Sequence, residues 1–346
     1  MTATIAVRVG PVSARINRRA LLVSVVALFV VLAGLAWSVS VGDFPIPITE
    51  VIGELTGFGG GTDSDFIVRT LRLPRALTGV LVGAAFGVSG QIFQRMVRNP
   101  LASPDILGVS AGAAVAAVWC IVVLNATSTT VTGAALAGSI TTVVLIYLLA
   151  IKQGLSSYRL VLVGIGLTAM LEATVAYLLT RAELYDAQRA FVWLTGSLNG
   201  RGWEYVRPLT VALAVLVPVA LVNARQLRAL ELGDDCARGV GTRVQRSKLV
   251  LAFSGAGLAA VATAAAGPIG FVALIAPQIA RRLTGENSIG LVPAGLVGAA
   301  IVVFADLAGR RLFAPTELPV GVLTAIIGAP YLLWLLARAN RVGVGG

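Results

Sequence analysis

Charged side chains are scarce in this chain, so each group of them stands out against an apolar background. Only 12% of its 346 residues are charged, and 57% are hydrophobic. The largest polar group is the segment 223–248, NARQLRALELGDDCARGVGTRVQRSK, which lies between long apolar runs. Charged residues placed inside a bilayer cost free energy. The segment therefore predicts a surface that lies in water and is bound by another macromolecule.

A second group is cationic. Three arginines lie within residues 69–75, at the start of an apolar run, and Arg310 and Arg311 end another run. Guanidinium groups at such positions bind acidic surfaces, extend to lipid headgroups or pair with nearby carboxylates. Asp306 and Glu317 are the internal candidates for pairing. The residues alone leave these alternatives open.

Glu172 is a lone carboxylate in the apolar run LTAMLEATVAYLL. An ionised carboxylate at the centre of a bilayer costs at least about 2.5 kcal/mol. The side chain is therefore expected to face a water-filled pathway or a partner on another helix, or to be protonated. An ion-coupled secondary transporter that uses Glu172 and Asp306 as proton or sodium sites is one alternative function.

Several chemistries are excluded because their residues are missing. The chain has no histidine and two cysteines, Cys120 and Cys236, which have no obvious partner for a zinc site or a nucleophilic pair. The glycine run at 57–61 is not followed by lysine, and the lysines of the chain are Lys152 and Lys248. A phosphate-binding loop that ends in Gly-Lys-Ser/Thr is therefore absent from the sequence. We expect no catalytic residue, metal site or cofactor in this chain.

Apolar runs of about 20 residues, long enough to cross a bilayer as helices, recur along the chain. With a mean hydropathy of +0.89, they predict an all-α polytopic membrane protein that forms a single domain over residues 1–346. Glycines and prolines within several runs predict broken helices that line a pathway, with simple kinks in a static bundle as the alternative. The ten predicted spans are 20–41, 77–94, 104–124, 131–151, 160–180, 206–222, 249–266, 268–283, 289–308 and 319–337.

The distribution of basic residues predicts the orientation. With ten spans and a cytoplasmic N-terminus, most of the 27 lysines and arginines lie in cytoplasmic loops, as the positive-inside rule requires. Residues 1–19 are then a cytoplasmic tail, segment 223–248 is a cytoplasmic loop, and the C-terminus is also cytoplasmic. Topology accounts for the isoelectric point near 10.7, so no nucleic-acid partner is expected. The predicted location is the cytoplasmic (inner) membrane, in contact with lipid.

Seven stretches along the chain share a likeness to one family. The chain resembles the FecCD-type permeases, which are membrane subunits of type II ABC importers for ferric siderophores, haem and vitamin B12. The likeness extends from about residue 20 to 340, and two stretches, at 193–200 and 228–249, most resemble the second permease subunit of ferric enterobactin importers. The seven stretches are RLPR (72–75), GVSGQIFQ (87–94), NPLASPDILGVSAGA (99–113), LELGDDCARGVG (230–241), AGPIGFVALIAPQIARR (266–282), ADLAGR (305–310) and ELPVGVLTAIIGAPYLLWLL (317–336).

The resemblance implies partners and roles. It implies a second related permease, most simply as a heterodimer, two cytoplasmic ATPase subunits that hold ATP and Mg²⁺, and an extracytoplasmic binding protein. Arg72, Arg75 and Arg310 match arginines that meet acidic residues of the binding protein. Residues that match the cytoplasmic end of the pathway are Asn99, Leu101, Ser157 and Tyr158, and Glu172 lies on the span expected to line it.

The polar segment gains a role from the same resemblance. Its sequence predicts two short helices broken at a glycine, with acids at the positive end of the second helix and Gly241 as a terminator. In the family, this loop inserts into a groove of the ATPase subunit. The residues that match it are Glu231, Leu232, Gly233, Asp234, Asp235, Ala237, Arg238, Gly239 and Gly241.

The predicted function is that of a permease subunit which passes a ferric siderophore inward, driven by ATP hydrolysis in its partners. Permeases for vitamin B12 or haem in the same family are the nearest alternative. Gln278 departs from the family pattern, since many members have histidine after the proline of APQIARR. Its amide does not titrate, so a proton-handling role at this position is not expected.

Overall fold

Long apolar helices follow one another along almost the whole chain. The computed structural model describes residues 4–9, 12–42, 44–56, 63–151, 157–285, 290–312 and 316–343. The glycine run at 57–61 lies outside these ranges. The N-terminal elements are β1 (Thr4–Val9), β2 (Val12–Asn17), α1 (Arg18–Ser40), α2 (Ile48–Thr56), α3 (Asp63–Phe66) and a π-helical turn (Ile67–Arg72) that continues into α4 (Leu73–Val97).

The remaining elements are helical. A 3-10 turn at Pro104–Leu107 precedes α5 (Val109–Val122), α6 (Ser128–Ala150), α7 (Ser157–Arg181), α8 (Leu184–Leu194) and α9 (Trp203–Val222). Two short helices, α10 (Ala224–Glu231) and α11 (Asp234–Gly239), lead to α12 (Val244–Ala266), α13 (Val272–Thr284), α14 (Leu291–Arg311) and α15 (Val320–Gly343).

Each of the ten predicted spans coincides with one of these helices, which confirms the all-α membrane architecture. Within the described ranges, seven helical segments are long and apolar enough to cross a membrane on their own. Two further apolar segments, Val109–Val122 and Val320–Leu335, are shorter, and α13 has 13 residues. The number of ten crossings and the cytoplasmic placement of both termini remain predictions.

The predicted N-terminal tail contains a hairpin. Its two strands pair antiparallel, from Thr4 opposite Asn17 to Val9 opposite Val12. The first helix then begins at Arg18, two residues before the predicted span, because the Asn17 side chain accepts a hydrogen bond from the backbone N–H of Arg19 at 3.0 Å. The hairpin is a small addition to an otherwise helical fold.

The predicted break near residue 267 is present. Helix α12 ends at Ala266, and Gly267 has φ +77°, a conformation that glycine adopts without steric cost. The chain stays non-helical until α13 begins at Val272. The carbonyl of Ala266 accepts a hydrogen bond from the backbone N–H of Ser197 at 2.8 Å, so the freed backbone group is satisfied inside the protein.

Helix α4 lies at the centre of the bundle. Glycines let it approach α14 until the two backbones touch, because a Cβ on Gly83 or Gly87 would overlap the carbonyl oxygen of Gly298 or Ala294. On another side, Ser89 of α4 donates a hydrogen bond to the carbonyl of Gly255 in α12 at 2.6 Å. Helix α4 therefore connects the outer arginines at its start to the polar segment near its end.

Candidate functional site

The outer arginines form a charge network around one buried acid. Asp306 of α14 lies 3.0 Å from a guanidinium nitrogen of Arg75 in α4 and 3.1 Å from one of Arg310. Glu317 lies 3.2 Å from a second nitrogen of Arg75. The side chains of Arg75 and Arg310 are only 14% and 11% exposed, so these ion pairs are shielded from water. The internal pairing left open by the sequence is therefore present.

The same arginines also hold the connection after α1. Arg72 donates to the carbonyls of Val39 and Phe44 at 2.9 and 2.6 Å. Arg310 donates to the Ser38 hydroxyl at 2.5 Å, at the end of the same helix. The bond to Val39 satisfies a carbonyl at the C-terminus of α1, where cations are favoured, and the other two hold the Ser38 side chain and the segment after the helix.

The structure brings all three predicted docking residues to one place. Arg72, Arg75 and Arg310 line a cavity of about 560 Å³ that is open to the surface. Among the described residues, its lining includes five arginines and two glutamates, so their charges leave a positive excess, even with Asp306 buried behind them. These charged lining residues are Arg72, Arg75, Arg201, Arg310, Arg311, Glu204 and Glu317.

The polar segment folds as the sequence predicts. Helix α10 ends at Glu231, and α11 runs from Asp234 to Gly239 after Gly233, whose φ is +101°. Gly241 has φ +81°, and the N–H of Thr242 bonds to the carbonyl of Ala237 at 2.9 Å, which closes the second helix. Asp234 and Asp235 lie in the first turn of α11, where the helix dipole favours acids.

One face of this two-helix segment lies against the bundle, and the other is exposed. Ala237 and Leu230 are buried. Leu232 and Val240 are 66% and 68% exposed, a high fraction for apolar side chains on a surface expected to face the aqueous phase. The exposed side also carries the Asp235–Arg238 ion pair at 2.5 Å, Cys236, Gly239 and Gly241.

Two ion pairs fix the inner face, and the sequence did not reveal either partner. Arg95, in the last turn of α4, pairs with Glu231. Lys248 of α12 lies 2.6 Å from Asp234 through its Nζ atom. The second pair could have been suspected from the sequence, because Lys248 lies near the start of an apolar helix and Asp234 precedes it by fourteen residues.

The loop after α4 is held by a buried amide network. The side-chain oxygen of Asn99 accepts a hydrogen bond from the N–H of Leu101 at 2.9 Å. Gln278 of α13 donates to the carbonyl of Pro100 at 2.8 Å and to the side-chain oxygen of Gln94 at 2.7 Å. Gln278 therefore ties α13 to the predicted gate loop. Gln278, which departs from the family pattern, therefore has a structural role in this chain.

The other predicted pathway residues lie on α7, one of the least buried long helices. Ser157 is its first residue, and Tyr158 is 75% exposed. Glu172 is exposed, and within the described ranges no hydrogen bond or ion pair reaches its carboxylate. The helix-to-helix hydrogen bond considered from the sequence is not seen there. The turn Pro104–Leu107 packs against α7, so the loop after α4 and this helix are adjacent.

Comparison with known proteins identifies the family. The sequence profile of the FecCD transport family matches residues 28–338. The chain belongs to the FecCD transport family. This FecCD protein is 39% identical to the ferric enterobactin transport system permease protein FepG of Escherichia coli, over 94% of this chain and 98% of that one.

A second relative and a solved structure support the same family assignment. The probable siderophore transport system permease protein YfhA of Bacillus subtilis is 39% identical over 94% of this chain and 97% of its own. A solved structure described as an inward-facing conformation of a metal-chelate type ABC transporter matches with a TM-score of 0.79 and 26% identity. It covers 92% of this chain and 99% of its own. This FecCD protein is thus a multi-pass membrane transport protein.

Proposed function

We propose that this FecCD protein is the permease subunit of an ATP-driven importer that carries a ferric siderophore into the cytoplasm. The observation that carries the proposal is the two-helix segment 223–248, folded around Gly233 with an exposed apolar and charged face. The sequence has no phosphate-binding loop, so ATP and Mg²⁺ belong to partner subunits that bind this face. FepG and YfhA, which are named as siderophore permeases, support the substrate class.

The outer cavity supports docking of a binding protein. Its excess of arginines favours an acidic surface, and charge complementarity of this kind sets register and association rate more than affinity. Because Asp306 already neutralises part of Arg75 and Arg310, Arg72 and the exposed Arg311 are expected to contribute most to the attraction. The binding protein would deliver its ligand at this end of the molecule.

The pathway is proposed to run along α7, opposite a second, related permease. Exposed Glu172 is too polar for a lipid-facing position, so this helix face needs a partner chain or a water-filled space. Asn99, Leu101, Ser157 and Tyr158 would close its predicted cytoplasmic end. The iron stays in its chelate, which agrees with a sequence that lacks histidine and has only two cysteines.

The test is reconstituted transport. The full importer, with its partner permease, ATPases and binding protein, is placed in liposomes and supplied with a ⁵⁵Fe-labelled tris-catecholate chelate. We expect uptake that requires ATP and is indifferent to proton and sodium gradients. Uptake by this chain on an ion gradient without ATPases would instead establish the secondary transporter. Preferential uptake of cobalamin or haem would assign the other branch of the family.

A further inference from the structure

Two ion pairs lie on either side of Gly233, the glycine that separates α10 from α11. Glu231, the last residue of α10, pairs with Arg95 in the last turn of α4. Asp234, the first residue of α11, pairs with Lys248 near the start of α12 at 2.6 Å. The two ion pairs therefore attach each short helix to a different long helix, on either side of Gly233, whose φ of +101° is readily adopted only by glycine.

The cations of these pairs are buried. The side chains of Lys248 and Arg95 are 3% and 9% exposed, whereas those of Asp234 and Glu231 are 33% and 30% exposed. A buried cation requires a partner, because losing its hydration is expensive. Asp234 supplies an acidic partner to the buried Lys248 ammonium at 2.6 Å.

A third ion pair in the same segment provides a contrast. Arg238 and Asp235 are 56% and 95% exposed and belong to one helix, so their pair attaches nothing to the bundle. Exposed pairs of this kind contribute from about 0 to 1 kcal/mol. Of these three ion pairs, the two inward ones link elements, and the third lies on the face available to a partner.

The two long helices that receive the inward pairs form one packed unit. Ser89 of α4 donates to the Gly255 carbonyl of α12 at 2.6 Å. A Cβ on Gly255 would lie 3.0 Å from the Phe93 ring, so the two helices are in close contact there. Helix α4 also reaches the outer network through Arg75. Motion of the segment is thereby connected to the helix that carries the outer arginines.

We propose that Glu231 and Asp234 are positioning residues that lock the two-helix segment to α4 and α12. With both locks in place, a push on the exposed face moves the long helices. Without them, the segment bends at Gly233, and the movement is absorbed there. The proposal rests on the proposed function, because it presumes that ATPase subunits bind the exposed face.

The experiment uses the assembled importer in liposomes with its binding protein and a ⁵⁵Fe-labelled tris-catecholate chelate. The variant Glu231→Gln with Asp234→Asn removes both locks without changing side-chain size. The resemblance assigns both residues to the ATPase-binding loop, but their carboxylates pair with Arg95 and Lys248 of the bundle and not with residues of the exposed face. ATPase co-purification and ATP hydrolysis should therefore stay within about twofold of the unaltered importer, while chelate imported per ATP falls by about tenfold, as expected for a lost coupling between sites. The readout is the ratio of uptake to hydrolysis.

Two further variants separate positioning from general stability. Exchanging charges, Asp234→Lys with Lys248→Asp, rebuilds one pair and should restore the uptake-to-hydrolysis ratio above that of Asp234→Asn. Asp65→Asn removes an exposed acid that pairs with Arg69 at 2.7 Å and should leave the ratio unchanged. This control makes the same Asp-to-Asn replacement as the test variant, at a position outside the two-helix segment.

Each outcome decides the matter. An unchanged ratio in the double variant overturns the proposal. So does a parallel loss of ATPase binding, hydrolysis and uptake that the charge exchange does not repair, since these residues would then be part of the ATPase contact or of the fold. If the unaltered importer shows no ATP-dependent uptake, the proposed function fails instead, which is a separate result.

Discussion

Asp306 determines how the outer arginines are held. Its carboxylate forms ion pairs with both Arg75 and Arg310 while only 5% of its side chain is exposed, and Glu317 completes the network. Internal pairing and docking were alternatives at the level of sequence, yet the geometry makes them compatible. The acid fixes two guanidinium groups in place, and the surrounding cavity keeps its positive excess. Fixed donors lose less conformational entropy when a partner binds than mobile ones do.

Replacing Asp306 should therefore destabilise the protein. In Asp306→Asn, two largely buried guanidinium groups lose a charged partner, and removing one member of a buried pair costs about 3 kcal/mol or more. The free energy of unfolding in detergent, from a denaturant titration followed by circular dichroism, measures the loss. Asp65→Asn, which breaks an exposed pair, should cost about 1 kcal/mol or less. Equal losses in the two variants would contradict this assignment.

Helix α4 packs more tightly against its neighbours than side chains larger than glycine would allow. Small residues allow its backbone to touch that of α14, and glycine on α12 allows a further close approach. In lipid, helices associate through packing and not through water exclusion, so such contacts define where each helix lies. Near its C-terminus, α4 contacts the two-helix segment through the ion pair of Arg95 with Glu231. Near its N-terminus, Arg75 lines the outer cavity.

A single methyl group should test the packing of α4. In Gly87→Ala, the new Cβ overlaps the carbonyl oxygen of Ala294, so the helices must separate. Overpacking of this kind costs about 1–3 kcal/mol, which should appear as a lower midpoint in thermal unfolding. Gly133→Ala on α6 is the matched control, because its Cβ would meet no atom within 4 Å. The control should be neutral or slightly stabilising, since alanine favours helix.

At the scale of the whole molecule, we expect the two proposed functional surfaces to lie on opposite sides of the membrane. The two-helix segment and the outer cavity lie at opposite ends of α4, since Arg95 and Arg75 are twenty residues apart on one helix. At 1.5 Å per residue, that separation is about 30 Å, the thickness of the hydrocarbon core. If the two-helix segment lies in the cytoplasm, the outer cavity therefore lies on the other side of the membrane.

The two native cysteines allow this orientation to be measured. Cys236 is exposed on the two-helix segment and Cys120 is buried, so a membrane-impermeant maleimide should label Cys236 alone when the chain is expressed without the ATPase subunits that would cover this face. We expect labelling in inverted vesicles and none in intact cells. Adding Leu184→Cys, at an exposed position on α8, should give labelling from outside. Labelling of Cys236 in intact cells would reverse the predicted topology.

The sequence by itself determined the class of protein and the local structure. Apolar runs of about 20 residues predicted the helices, because a bilayer permits only helices or closed barrels, and membrane strands are about half that length. The split at Gly233 and the end at Gly241 were also readable, since a positive φ is a local property of glycine. The motifs identified the family. The N-terminal hairpin was not predicted, although the Gly10-Pro11 dipeptide between its strands is a recognised turn signal.

Only the tertiary structure decided which charges and amides meet. Asp306 reaches Arg75 across 231 positions of the chain, and Gln278 reaches Gln94 across 184. Glu231 and Arg95 are separated by 136 positions. Such pairings depend on which long helices pack together and at what register, and small residues such as Gly83 and Gly298 set that packing through backbone contact. Hydropathy and local spacing carry no record of that register, so the partners of these side chains emerge only when the bundle is assembled.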